Sequence, residues 1–343
     1  MFPFSEILIA WYHRHKRDLP WRNTRDPYLI WISEIILQQT RVAQGMDYYR
    51  RFVERFPSPS TLAAAQEDEV LKLWQGLGYY SRARNLHAAA KSMKNGVFPS
   101  SYKEVLALKG VGPYTAAAVC SFAYRMPYAV VDGNVYRVLS RVFGVESSID
   151  TAAGKKEFSS LAQQVLDKHR PDLFNQAIMD FGALQCIPLN PECAVCPFMS
   201  FCKARAGNLV DKLPVKSGKT PVKNRFFYYL YIEQGNTVWL NKRPAGDIWQ
   251  GLYEPPLAEG TKADLPAEEV FKEKGFIPSA LKPSYAAGPV KHILSHQTIY
   301  AYLYKVKLSP RMPMPTPFLA VPKEKMKDYP FPRLVLKLLD KAS

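Results

Sequence analysis

Cysteine is scarce in this chain, with five residues among 343. Four of them fall between positions 186 and 202 and Cys120 stands alone. That placement excludes the spread-out bridges of a small secreted disulfide scaffold. No apolar run approaches the roughly 18 residues a membrane helix needs. The apolar N-terminal stretch is broken by Glu6 and no small-residue cleavage site follows, so the reading is of a chain without a targeting signal, located in the cytoplasm. Fixed-period repeats and low-complexity tracts are also missing. Acidic residues are in deficit, 30 Asp and Glu against 46 Lys and Arg, which leaves a net charge of +16. An excess of that size points to a polyanionic partner. What is present is globular in composition, 47% hydrophobic and 22% charged, and long enough for two domains.

The two parts differ in texture. Residues 1–206 carry helical periodicity, as in Phe4, Ile7, Leu8, Trp11 and Tyr12, and again in Val135, Val138, Leu139 and Val142. Residues 207–224 are rich in Lys, Gly and Pro and read as a basic linker. Residues 225–343 hold strand-like runs at 226–232, 237–240 and 298–306, with a candidate helix from Ala267. The expected architecture is a mostly α N-terminal domain joined to a smaller α+β domain.

Cys186, Cys193, Cys196 and Cys202 are spaced C-x6-C-x2-C-x5-C. Four thiolates this close suit one [4Fe–4S] cluster or one tetrahedral zinc, and the spacing alone leaves both open. A closed set of four has no free coordination position, which makes its role structural.

Three further features carry chemistry. Leu108 to Thr115 forms a Gly110-Val111-Gly112-Pro113 turn that opens a helix. Such a turn presents N–H groups to a phosphate, or simply joins two packed helices. Glu34 and Gln38 make a thin polar stripe on an otherwise apolar helix, 28–39. Burial would raise the Glu34 pKa and suit it to general-acid work; a buried pair with Arg22 or Arg41 is the competing reading. Asp132 ends the apolar run Ala129-Val130-Val131 and stands where a helix starts, as an N-cap or as the ionised member of a carboxylate pair with Glu34.

Taken together, the chain resembles the adenine DNA glycosylases of the MutY type, within the helix–hairpin–helix superfamily shared with endonuclease III. The matching stretches are Leu19-Pro20-Trp21-Arg22, Ser33-Glu34 through Leu37-Gln38-Gln39-Thr40, and Gly76-Leu77-Gly78-Tyr79-Tyr80-Ser81-Arg82. The hairpin at Gly110 and Gly112, Asp132-Gly133-Asn134-Val135 and the four cysteines complete the set. The resemblance implies a [4Fe–4S] cluster on Cys186, Cys193, Cys196 and Cys202 and a Nudix-like lesion-recognition domain at 225–343. It implies a monomeric, nucleoid-associated enzyme that flips adenine from an A:8-oxoguanine or A:G mispair in duplex DNA and cleaves its N-glycosidic bond. By the same resemblance Glu34 is the general acid, Asp132 stabilises the oxocarbenium or forms a transient adduct, and Tyr114 and Asn134 support the step. Trp21, Arg22, Leu37, Val42 and Gln176 line the adenine pocket, Gln39 and Tyr79 wedge into the stack near the 8-oxoguanine, and Thr40 contacts the DNA.

Related lyases place a Lys at position 114, and Tyr114 has no amine to form a Schiff base, so a monofunctional glycosylase is expected. Departures from the family pattern are Lys109, where many relatives carry Pro, and Leu294 in Leu294-Ser295-His296, where relatives often show Phe-Ser-His. Ser295 and His296 keep the polar pair for reading 8-oxoguanine, whereas His292 reads as strand surface. The acidic signature of Nudix hydrolases is reduced to an echo at 268–273, so the second domain is expected to bind without hydrolysing nucleotides. The alternatives are an endonuclease III-like glycosylase/lyase and a non-catalytic iron–sulfur DNA-binding protein.

Overall fold

The computed structural model describes residues 3–218, 221–260, 271, 274–276, 281–312 and 318–342. They fall into two compact units, one drawn from 1–63 and 88–219 and the other from 64–87 and 220–343. The segment 64–87, read from sequence as part of 1–206, therefore groups with the second unit. Its polar side chains explain why. Asp68 accepts hydrogen bonds from Lys242 Nζ at 2.6 Å and the Tyr253 hydroxyl at 2.7 Å, and Arg84 donates to the Gln250 carbonyl at 2.7 Å. Residues 207–218 of the expected linker group with the first unit. Ile149 N–H donates to Val215 O at 3.1 Å, and the Ser217 N–H and hydroxyl donate to Asp150 at 3.1 and 2.7 Å.

The first unit is helical. The helix Pro27–Leu37 starts under an Asp26 cap that accepts from Tyr28 N–H at 2.8 Å, with Pro27 in the first turn. It is apolar almost all round because Tyr28, Ile30, Trp31, Ile32, Ile35 and Ile36 are all buried. It packs against the helix Pro113–Tyr124, whose Thr115-Ala116-Ala117-Ala118 run is small enough for close approach. The helix Gly133–Phe143 begins at Asp132 and ends at Gly144, where φ is 68°. The helix Pro171–Leu184 joins it on a core of Phe4, Leu8, Trp11, Phe158 and Phe174. The cysteine-bearing segment is anchored to that core by Phe198, fully buried and stacked 4.9 Å from Phe4. Burying that ring alone stabilises by roughly 1.5–3 kcal/mol.

Among the described residues the second unit holds a seven-stranded sheet: β1 Lys223–Gln234, β2 Thr237–Lys242, β3 Tyr253–Glu254, β4 Leu257–Gly260, β5 Ser284–Ile293, β6 Gln297–Leu308 and β7 Leu319–Pro322. The order runs β3-β2-β1-β6-β5, with β4 on β1 and β7 on β2. β1 is central, parallel to β6 and antiparallel to β2 and β4. Its near-continuous apolar run follows from having both faces covered. Phe227 and Tyr229 pack with Leu334 and Leu338 of the helix Arg333–Ala342, while Tyr228, Leu230 and Ile232 pack with Ala258, Phe271 and Val306 on the other side. Except for buried Phe271, the segment expected as a helix from Ala267, with its acidic echo at 268–273, lies outside the described residues.

Candidate active site

Glu34 sits in the last two turns of the helix Pro27–Leu37 and is 6% exposed. The Tyr114 hydroxyl, from the first turn of Pro113–Tyr124, donates to its Oε2 at 2.8 Å. Burial raises the Glu34 pKa to about 7; the Tyr114 hydrogen bond opposes the rise, Asp132 adds to it and Arg22 opposes it. Burial and the neighbouring carboxylates hold the Tyr114 hydroxyl well above its ordinary range, so it is a neutral donor.

Asp132 caps the helix Gly133–Phe143. Its Oδ1 accepts from Val135 N–H at 2.8 Å and its Oδ2 from Asn134 Nδ2 at 3.0 Å. Burial raises its pKa while those hydrogen bonds and Arg137 pull it down. Capping and a place beside Glu34 are thus compatible roles for one residue. Arg137 was not singled out in the sequence. It donates to Asn134 Oδ1 at 2.8 Å and to the Cys186 carbonyl at 2.7 Å, which fixes the Asn134 amide.

A cavity opens beside Glu34, lined by Trp21, Arg22, Leu37, Val42 and Gln176. Every residue expected in the purine pocket therefore lies on one cavity with the expected acid. Trp21 is held edge-on to Tyr49 at 5.2 Å, and the Tyr12 hydroxyl donates to Gln176 Oε1 at 2.8 Å. The same wall includes Arg17, Phe122 and Met179, which sequence reasoning missed. Also missed was Asp180, on which Arg17 and Arg22 converge. Arg22 Nη1 and Nη2 donate to its two oxygens at 2.6 and 2.8 Å, so Arg22 is paired with Asp180 rather than with Glu34. A carboxylate in the apolar helix 171–184 is the same signal that marked Glu34.

Just past the end of the helix Pro27–Leu37, Gln39 is exposed with φ 58°, and Thr40 N–H closes the turn on Leu37 O at 3.2 Å. The hairpin joins the helices Tyr102–Ala107 and Pro113–Tyr124, with Val111 N–H on Leu108 O at 3.0 Å and Gly110 at φ 80°. A side chain built on Gly112 would meet nothing within 4 Å, so its backbone faces open space. Lys109 is exposed there.

In the second unit, Tyr79 and Ser295 meet across 216 positions of sequence, with their hydroxyls 2.7 Å apart. Tyr79 sits at φ 47° next to Gly78 at φ 77°, which turns its ring outward, 48% exposed. Both residues line a cavity of about 510 Å3 with His296, Leu294, Trp249 and His292. His292 is therefore a cavity residue, 5.7 Å and edge-on from Trp249, rather than plain strand surface. Burial, Lys337 and Arg333 hold its pKa below the usual histidine value.

Cys186, Cys193, Cys196 and Cys202 all border one further cavity of the first unit. Among the described residues, no three of His, Cys, Asp or Glu gather tightly enough to hold a single metal ion. Tetrahedral zinc needs its four sulfurs about 3.8 Å apart for bonds of about 2.3 Å. Thiolates that each bind a different corner of a cluster stand further apart. The four cysteines border this space together with an apolar wall of Phe198 and Val142, a soft thiolate set that suits either group.

The comparisons with known proteins align with this geometry. Residues 32–164 match the HhH-GPD superfamily of base excision DNA repair proteins, and residues 228–341 match the NUDIX domain. The adenine DNA glycosylase of Buchnera aphidicola subsp. Baizongia pistaciae is 35% identical over 302 residues, 87% of this chain and 84% of that one. The chain belongs to the adenine DNA glycosylase family. The Homo sapiens member is 42% identical, covering 91% of this chain and 68% of its own. A solved thermostable thymine-DNA glycosylase superposes with a TM-score of 0.56 at 32% identity, over 60% of this chain and 95% of that one. Complexes of endonuclease III with DNA, 22% identical at a TM-score of 0.52, share the fold. The protein is a DNA glycosylase of base excision repair, with a helical catalytic domain and a Nudix-like C-terminal domain. Among the described residues no helix is long and apolar enough to cross a membrane.

Proposed function

We propose that this glycosylase, as a monomer, removes adenine mispaired with 8-oxoguanine or guanine in duplex DNA, and that it is monofunctional. The observation that carries the reading is Glu34, buried on the wall of the cavity, with burial and the Asp132 charge raising its pKa so that it can hold a proton for the base. In this reading the flipped adenine enters between Trp21, Leu37 and Val42. Glu34 protonates N7, the C1′–N9 bond breaks, and its electron pair leaves with the base. Asp132, held by Asn134 and Val135 N–H, faces the positive charge that develops on the sugar. Water then adds at C1′ and returns its proton to Glu34. Tyr114 orients Glu34 and, having no amine, leaves the abasic product uncut.

Gly110, Gly112 and Lys109 would hold a backbone phosphate. Gln39 and Tyr79 would enter the stack near 8-oxoguanine, Thr40 would contact the DNA, and Ser295 and His296 would read the lesion. Cys186, Cys193, Cys196 and Cys202 would hold a [4Fe–4S] cluster, which supplies a rigid cross-link to this loop. The test is a single-turnover assay on a duplex with one adenine opposite 8-oxoguanine, split with and without alkali. Alkali-dependent cleavage by the wild type, absent in Glu34→Gln that still binds the duplex, is the expected result. Base release by Glu34→Gln would remove Glu34 from the mechanism, and strand cleavage without alkali would favour a lyase.

A further inference from the structure

The purine cavity holds two arginines and one acid: among the described residues lining it, Arg17 and Arg22 are the cations and Glu34 is the sole carboxylate. A guanidinium free to move in such a cavity pairs with the carboxylate it meets. That pairing would stabilise ionised Glu34 and strip it of the proton the reaction needs. The arrangement on the other side of Arg22 prevents this. Asp180 lies one turn beyond Gln176 in the helix Pro171–Leu184, and its side chain is fully buried. It receives both Nη atoms of Arg22, Arg17 Nε at 2.8 Å and Arg17 N–H at 3.2 Å, and it also pairs with Arg17 Nη2. Two-toothed contacts of this kind fix the plane of a guanidinium as well as its position.

We propose that Asp180 is a positioning residue that withholds the charge of Arg22 from Glu34 and so keeps the general acid protonated near neutral pH. The inference rests on Glu34 being that acid. Burial pushes the Asp180 carboxyl up, but its pairing with Arg22 and Arg17 brings it below the ordinary value, so the clamp stays ionised throughout the working range. The groups that face Glu34 are Tyr114 from Pro113–Tyr124, Asp132 at the start of Gly133–Phe143, and Arg22. Arg22 is the cation among them, and Arg17, the other cation on the cavity, is held by the same Asp180, so that carboxylate decides how far the Glu34 pKa can fall.

The experiment is the pH profile of single-turnover adenine release, for the wild type and Asp180→Asn. Glu34 must carry its proton, so the rate falls as pH rises through its pKa. In Asp180→Asn that descending limb is expected about one pH unit or more lower, with a roughly tenfold loss at pH 7.5 that shrinks below pH 6. Asp180→Glu, which keeps the clamp, should hold the limb near its original place. Arg22→Gln combined with Asp180→Asn should bring the limb back up, whatever its absolute rate. A loss in Asp180→Asn that is uniform at every pH would overturn the proposal and leave Asp180 a purely structural residue. If Asp180→Asn does not fold, Arg22→Lys decides: an ammonium keeps the charge but cannot take the two-toothed clamp, so the limb should move to lower pH, and an unmoved limb overturns the proposal. Failure of the parent reading looks different, because then Glu34→Gln itself would release base.

Discussion

Among the described residues, each unit buries a glutamate against a tyrosine, and the two differ in how a cation is placed. Glu34 accepts from Tyr114 at 2.8 Å in the first unit, and Glu254 accepts from Tyr229 at 3.1 Å in the second. Burial pushes both carboxyls up, and at Glu254 the Arg243 guanidinium pulls the other way. Glu254, however, is also held by Arg243 Nη1 at 2.8 and 3.0 Å, while Arg243 Nε fastens the Ile248 carbonyl at 2.8 Å. The nearest cation to Glu34 is instead committed to Asp180. With its cation in contact, a buried glutamate is a clasp that fixes a loop. With the cation held back, the same glutamate is left with a proton to give.

The largest effect expected from breaking this comparison is functional. Glu34→Gln should lower adenine release by at least about a hundredfold, while its melting temperature holds or rises, since an acid that costs stability to ionise has been removed. Glu254→Ala should do the reverse: it leaves Arg243 with Asp247 but without its buried partner and should destabilise the second unit by about 1–3 kcal/mol in a denaturant melt. A destabilised Glu34→Gln, or an unaffected Glu254→Ala, would erase the contrast.

A second effect is on pH. Because the folded pKa of Glu34 lies above its ordinary value, its protonated form is the stable one. Both the activity and its contribution to stability are therefore present at low pH and lost as pH rises through about 7. Smaller still is Tyr114→Phe, which removes a hydrogen bond that favours the ionised acid; the descending limb of the pH profile should move up, the opposite of Asp180→Asn. The smallest effect concerns lesion choice. Ser295→Ala should cost roughly 1 kcal/mol, about fivefold, in preference for 8-oxoguanine over guanine, read from competing duplexes.

Much of the candidate site was legible in sequence because its signals are local. An acid in the apolar run 28–37, Asp132 before a helix and a glycine turn each announce themselves within a dozen residues. The fold class followed from the change in periodicity near residue 225 and from the apolar run of β1. What was hidden depends on partners far apart in the chain. Asp180 meets Arg22 across 158 positions, and Tyr79 meets Ser295 across 216. No periodicity reports such a pairing. The grouping of 64–87 with the second unit was hidden for the same reason, since Asp68 reads as an ordinary first-turn acid until Lys242 and Tyr253 are found beside it.

That segment has a consequence for anyone dissecting the protein with a single cut. A fragment ending near residue 224 would keep the 64–87 stretch but lose what it folds against. Asp68 would be without its lysine and tyrosine, Lys72 without the Tyr329 carbonyl, and Leu71, fully buried here, without the backbone at Gly251. Such a truncation carries an unsatisfied sticky face into solution. Its poor solubility or weakened catalysis would then report a raw wound in the remaining chain rather than the loss of whatever the Nudix-like domain does.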